Sequence, residues 1–326
     1  MKPSHAVGMR KSQEIGGCKM KSVCAAVALS VSSSRSLGYV WQYVSRTEEI
    51  MVRCNPLGIV AATICLLMGT ISATAQDRSV YPDWSGQWMR GPGMGNGWDP
   101  TKPQGFAQQA PLTPDYRAIL EATLADRTQG GLGGDPTGLC LPHGMPRMMI
   151  GIFPIEFVVT PNVTYVLTDY TTHRRIFTDG RAWPKELLPS FNGYSIGKWL
   201  DEDGDGRYDV LEVETRGFKG PRTFEGSGMR LHEDNQTVIR ERIQLDKSNR
   251  DLLHNQVTVE DHALTRPWTI NRVYKREANP VWDFVDCAEN NPHVLVGREF
   301  YMISADGYLM PTKRGQQAPD LRYFGR

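Results

Sequence analysis

Residues 155–275 form a succession of short runs rich in β-branched and aromatic residues, most of them closed by Gly, Pro, Asn or Asp. They read IEFVVT (155–160), TYVLTDY (164–170), HRRIFTDGR (173–181), YSIGKWL (194–200), YDVLEVET (208–215), TVIRERIQL (237–245), NQVTVED (255–261) and WTINRVYK (268–275). Successive side chains of a strand point to opposite sides, so each run can bury one face against a core. Strands this closely spaced, with no βαβ rhythm and no fixed repeat, point to an all-β antiparallel barrel or sandwich.

The faces themselves are unusual. In 238–245, Ile239, Ile243 and Leu245 share a side with Glu241. In 253–263, Leu253, Val257 and Val259 share a side with Asn255 and Asp261. In 268–276, Trp268, Ile270 and Tyr274 share a side with Arg272 and Arg276. A charge on a buried face is costly unless it is paired. Two explanations fit: an ion-pair cluster inside a barrel, or polar groups lining a ligand cavity.

The chain before this region is different. GPGMGNGWDPTKPQG (91–105) holds too many Gly and Pro residues for a regular element, and DWSGQW (83–88) is a short strand candidate. One helix is predicted over 114–127. Thr113 suits its cap, Pro114 its first position and Asp115 its dipole, with Ile119, Leu120, Thr123 and Leu124 on one face. Gly130-Gly131 ends the pattern. Residues 304–326 read as an irregular tail, which leaves 151–303 for the barrel and 76–150 for an irregular segment carrying the helix.

MVRCNPLGIVAATICLLMGTISATAQ (51–76) has the basic start, short apolar run and Ala73-Thr74-Ala75 site of a cleaved secretory signal. The apolar run is short of the roughly 18–20 residues of a spanning helix. The expectation is a signal peptide over 51–75, with translation starting at Met51 and residues 1–50 a mis-assigned extension, the alternative being a genuine long leader. The product would be periplasmic or secreted, with no stable membrane anchor after cleavage. Beyond the leader, acidic residues slightly outnumber basic ones, so there is no electrostatic footprint for nucleic acid. Four of the six cysteines lie in residues 1–75. The remaining two, Cys140 and Cys287, most simply form one disulfide in an oxidising compartment, the alternative being two buried thiols.

DEDGDGRYDVLE (201–212) fits the calcium-loop pattern at every fixed position. Asp201, Asp203, Asp205 and Glu212 stand at ligand positions, with Gly206 at the turn. The flanking segments are strands, however, so the loop reads as a hairpin tip. On a strand Glu212 can point elsewhere, with Asp209 serving instead. The site is then either a structural Ca²⁺ loop or a solvated polar turn. No HExxH and no histidine pair at helical spacing marks a zinc site, and His254 and His262 are too far apart along one strand for a single metal. No P-loop, G-x-S-x-G or dinucleotide fingerprint occurs, which implies no nucleotide cofactor.

The blocks RRIFTDGRAWP, PSFNGYSIGKW, VLEVETRGF, ERI, TRPWT and CAENN resemble those of a widespread family of exported bacterial proteins. The resemblance covers about residues 135–300. It implies an exported protein and brings no activity with it. The family's acidic hairpin is a shorter W-E-G-D turn, so the longer loop here implies that calcium is not a requirement of the shared fold. Gly86-Gln87-Trp88 also resembles the G-x-W of the first lipocalin strand.

The expected fold is therefore an all-β antiparallel barrel, lipocalin-like, with one N-terminal helix and irregular ends. The expected function is binding of a small apolar or aromatic ligand in the barrel cavity, lined by Arg272, Asn255, Trp268 and Arg181. One alternative is a cofactor-independent lyase, isomerase or hydrolase using Glu241, Asp261, His232 and Tyr194 as acid–base groups. Another is a structural envelope protein.

Overall fold

Nine of the predicted and newly found strands close on one another. They are β1 (Gln87–Arg90), β2 (Ile155–Val159), β3 (Val163–Thr168), β4 (Arg174–Phe177), β5 (Tyr194–Leu200), β6 (Val210–Arg216), β7 (Val238–Leu245), β8 (Leu252–Glu260) and β9 (Trp268–Arg276). They pair in sequence order, and β1 pairs with both β2 and β9 to complete a barrel. The computed structural model describes residues 80–170, 172–281, 285–289 and 291–322. The leader and the extension before it lie outside the described residues. Among those residues no helix is long and apolar enough to cross a membrane.

The barrel is not purely antiparallel, which corrects the sequence expectation. β4 and β5 run parallel, with Ile176 opposite Ser195 and Phe177 opposite Ile196. A parallel neighbour needs a long crossover. Residues 178–193 supply it, a stretch broken by Pro184 and Pro189. Gly197 serves this junction: a Cβ there would stand 2.7 Å from Ile176 Cγ2 and 3.0 Å from Leu211 Cδ1. The glycine lets the side chains of adjoining strands meet across the strand.

The N-terminal segment is less irregular than its composition suggests. Its residues 87–90 are the closing strand, set by Trp88 opposite Ile155 on one side and Arg276 on the other. Short as it is, β1 removes both sheet edges. Helix α1 (Pro114–Thr128) forms as expected, with Leu120 and Thr123 buried, but Ile119 is exposed. Thr113 stands at the cap position without a side-chain capping bond; its backbone N–H donates to Ala263 O at 2.9 Å. The tail is not wholly irregular either. β10 (His293–Val296), β11 (Glu299–Ile303) and β12 (Leu309–Pro311) make a separate antiparallel sheet.

One apolar core joins the inward faces of the strands to the segments before and between them. Trp84, Trp88, Trp98, Met145, Met149 and Phe224 are fully buried in it. Cys140 and Cys287 form a disulfide across 147 residues of chain. A covalent loop of that size stabilises a fold by about 5 kcal/mol in the chain-entropy account.

Beside this core, the His143 ring packs on Tyr170 at 4.5 Å and near Phe153 at 6.1 Å. Arg147, tied to Asp135 at 2.7 Å, lies close by. Desolvation first, and then the Arg147 cation, pull the His143 pKa from 6.5 down to about 3. The unfolded chain therefore binds a proton that the folded chain refuses across that interval. Stability should be full above pH 6.5 and fall as the pH drops toward 3. Urea unfolding midpoints measured across this range should show the loss, and His143→Phe should flatten it between pH 6.5 and 4.

Candidate functional site

The polar groups on the apolar faces meet inside the barrel. Arg174 of β4 donates from Nε to Ser195 Oγ at 3.0 Å and from Nη2 to Thr215 Oγ1 at 2.9 Å. Its Nη2 also makes a short ion pair with Glu241 Oε2. Asn255 Nδ2 donates to the other carboxylate oxygen at 3.0 Å, and Ser195 and Thr215 are bonded to each other at 2.9 Å. The side chains of Arg174 and Glu241 are 1% and 0% exposed. Of the two explanations offered by the sequence, this is the ion-pair cluster.

The remaining residues expected to line a cavity are packed as well. Arg272 donates to Gly97 O at 2.8 Å and lies 5.7 Å from the Trp98 ring; burial pulls its pKa down to about 10. Trp268 packs on Phe224 and Trp98, with ring centres 5.2 and 6.4 Å apart. Side chains thus occupy the inside of the barrel. None of Arg272, Asn255 and Trp268 lines the larger surface clefts.

The four acid–base candidates do not form one constellation. Glu241 is held in the core as described. The Asp261 carboxylate accepts from His232 N at 2.9 Å, Ala263 N at 2.8 Å and Thr237 Oγ1 at 2.7 Å, so it knits two loops together. Asp261 lies just beyond β8, not on its buried face. His232 adjoins it through the backbone, and its imidazole turns toward Asp234. Tyr194 stands elsewhere, on the outer side of β5 against Phe177 at 5.0 Å. Arg181 is engaged too: it forms a bidentate pair with Asp179 (2.8 and 2.6 Å), donates to Tyr194 Oη at 3.3 Å and covers the Phe177 ring at 3.8 Å.

The acidic hairpin tip holds itself by its own backbone. Asp201 accepts from Gly204 N at 2.8 Å and Gly206 N at 2.9 Å, Asp203 from Asp205 N, Asp205 from Arg207 N, and Asp209 from Glu202 N. Glu212 is not part of the tip: it lies on the outer face of β6 and pairs with Arg242 at 2.9 Å. A helix would have swung the twelfth residue back over the loop; a strand points it away. Oxygens of Asp201, Asp203 and Asp209 converge within 4.8 Å of one another, and Asp205 is outside that group.

What the sequence did not reveal is a cleft of about 540 Å³ on the flank of the barrel, at the parallel junction. Phe177 and Tyr194 come from β4 and β5, Phe191 from the crossover, and Arg175 and Lys219 from either side. No Asp or Glu lines it. Lys219 Nζ lies 5.0 Å from the Phe191 ring, and Arg175 lies 6.0 Å from the Tyr165 ring. Neither cation forms an ion pair among the described residues. In the wall, the Asn192 amide nitrogen donates to Thr172 O, Thr172 Oγ1 and His173 O at 2.8–3.2 Å, which fixes the amide's orientation. Its Oδ1 is buried with no hydrogen-bond partner among the described residues. The only signal in the sequence was alternation, which sends Arg174 inward and Arg175 outward.

No family model, curated protein or solved structure matches the chain. The resemblance to exported bacterial proteins rests on the quoted sequence blocks alone.

Removing one member of the buried pair separates a structural from a catalytic role for Glu241. Glu241→Gln should cost about 3–5 kcal/mol in urea unfolding, because Arg174 is left charged in the core. The double variant Arg174→Met/Glu241→Leu should cost far less. A loss below about 1 kcal/mol for the single variant, the scale of an exposed pair, would contradict the burial described.

Proposed function

We propose that the protein binds a small apolar or aromatic molecule bearing an anionic group, in the flank cleft at the β4–β5 junction. The observation that carries this reading is the lining: three aromatic rings, two cations with no carboxylate partner among the described residues, and no acidic side chain. Aromatic walls supply apolar area with little flexibility, and a few placed polar groups set orientation. Arg175 and Lys219 favour a negative charge on the ligand.

The lipocalin-like reading is retained here only as a mode of use, carriage of a small molecule by a strand-walled body. The ligand would lie outside the barrel rather than in it. The leader motif at 51–75 supports an exported protein, periplasmic or secreted. An acid–base enzyme has less behind it, since Glu241 is paired with Arg174 and Asp261 accepts three donors.

Titration with 2-naphthoate and anilinonaphthalene sulfonate tests the cleft. Saturable binding should weaken about tenfold in Arg175→Ala/Lys219→Ala and fall with added salt. Equal affinity for naphthoate and neutral 2-naphthalenemethanol would remove the anionic half of the reading, and no saturable binding by any of them would end it.

We also propose a structural Ca²⁺ at the hairpin tip, now confined to Asp201, Asp203 and Asp209. With an affinity on the order of 0.1–1 mM, about 10 mM Ca²⁺ should raise Tm by a few degrees over EDTA, and Asp201→Asn should abolish the rise. An unchanged Tm would rule the ion out.

A further inference from the structure

Two loops at one end of the barrel bring together histidines that are thirty residues apart in sequence. His232 and Asp234 lie on the loop before β7, and His262 lies on the turn between β8 and β9. One donor atom from each of the three falls within 4.8 Å of the others. The Asp234 carboxylate stands between the rings: Oδ1 is 3.2 Å from His232 Nδ1, and Oδ2 makes a short contact with His262 Nδ1. The rings are 5.7 Å apart and nearly perpendicular. Neutral Nδ1–H tautomers would satisfy the carboxylate by hydrogen bonds alone, and His232 Nδ1 already accepts from the Asp234 backbone N–H at 3.2 Å. What singles the cluster out is that donor atoms from two loops converge on one point at the barrel end.

We propose that His232, Asp234 and His262 bind a divalent transition metal, with Zn²⁺ as the reference ion. Two imidazoles and one carboxylate are a borderline-soft donor set that suits Zn²⁺, Cu²⁺, Ni²⁺ or Fe²⁺ better than Ca²⁺. Three protein ligands leave at least one coordination position open. That position is accessible, because the His262 side chain is 67% exposed. A cleft of about 330 Å³, lined in part by His262, Asp261 and Arg266, gives a small ligand room to approach it.

The scaffold holds the donors in place before any ion arrives. Asp261 accepts from His232 N, Thr237 Oγ1 and Ala263 N, so a single carboxylate ties together the two loops that carry the ligands. Buried Arg222 bonds the same threonine at 2.8 Å. Tyr116 of α1 packs on the His232 ring at 5.6 Å. This is the supporting shell that fixed metal ligands require. The proposal is independent of the flank cleft and of the acidic hairpin.

Isothermal titration of the purified protein with ZnCl₂ is the test. Wild type should take up one saturable Zn²⁺ at this site. His262→Ala removes an exposed ligand and should leave the Tm without metal unchanged, while weakening uptake by more than the roughly 10–100-fold that loss of an outer-shell partner costs. Asp234→Asn should weaken it likewise, and Asp201→Asn/Asp203→Asn should leave it as in wild type. Absence of saturable uptake by wild type overturns the proposal. So does uptake that survives both His262→Ala and Asp234→Asn, or uptake lost only in the hairpin variant.

Discussion

Arg174 and Glu241 hold opposite charges in the middle of the barrel, on strands that are three places apart in the sheet. Neither could be there alone. A buried charge without its partner costs several kcal/mol, and Ser195, Thr215 and Asn255 add hydrogen bonds to the pair, leaving Arg174 Nη1 without a partner among the described residues. Each of these groups sits on a different strand, at the level where its register places it. A shift of one residue in any of those strands would turn its polar group outward and leave the charges unmatched. The cluster therefore specifies register as well as occupying space.

Side chains fill the inward face of this barrel, so the ligand proposed above is placed on its outside. The sheet offers one irregularity there, the parallel β4–β5 pair. Two strands running the same way cannot be joined by a tight turn, and residues 178–193 must travel back over the surface. That return path brings Phe191 and Asn192 beside Phe177 and Tyr194 and walls in the flank cleft. The loops at the barrel end collect His232, Asp234 and His262 by similar logic: loops carry the chemistry and strands hold them still.

The alternation in 238–245, 253–259 and 268–274 made the inward residues legible, charged ones included. It could not say what the inward residues meet. Whether Glu241 faces a ligand or Arg174 depends on a strand sixty-seven residues away. β1 was legible in part, since DWSGQW (83–88) pointed to a strand there, but its closing role was not, because closure is a property of partners rather than of local composition. The direction of β5 was equally hidden, since Asp179-Gly180 looks like a hairpin turn and instead opens a crossover. His232 and His262 escaped because spacing rules search along one element, while this pair is assembled from two loops. Glu212 shows the converse case, in which a spacing rule was met in letters but a strand replaced the helix that gives the rule its geometry.

The disulfide has a mechanical side. Cys140 precedes β2 and Cys287 follows β9, so the covalent ring encloses every barrel strand except β1. Tension applied to the chain on either side of that ring would pass through the sulfur–sulfur bond and bypass the eight enclosed strands. Only β1, α1 with the segments around them, and the small C-terminal sheet would carry the load. The eight enclosed strands would stay slack while the two tethers, β1 included, peeled away, like a knot whose loop is never pulled.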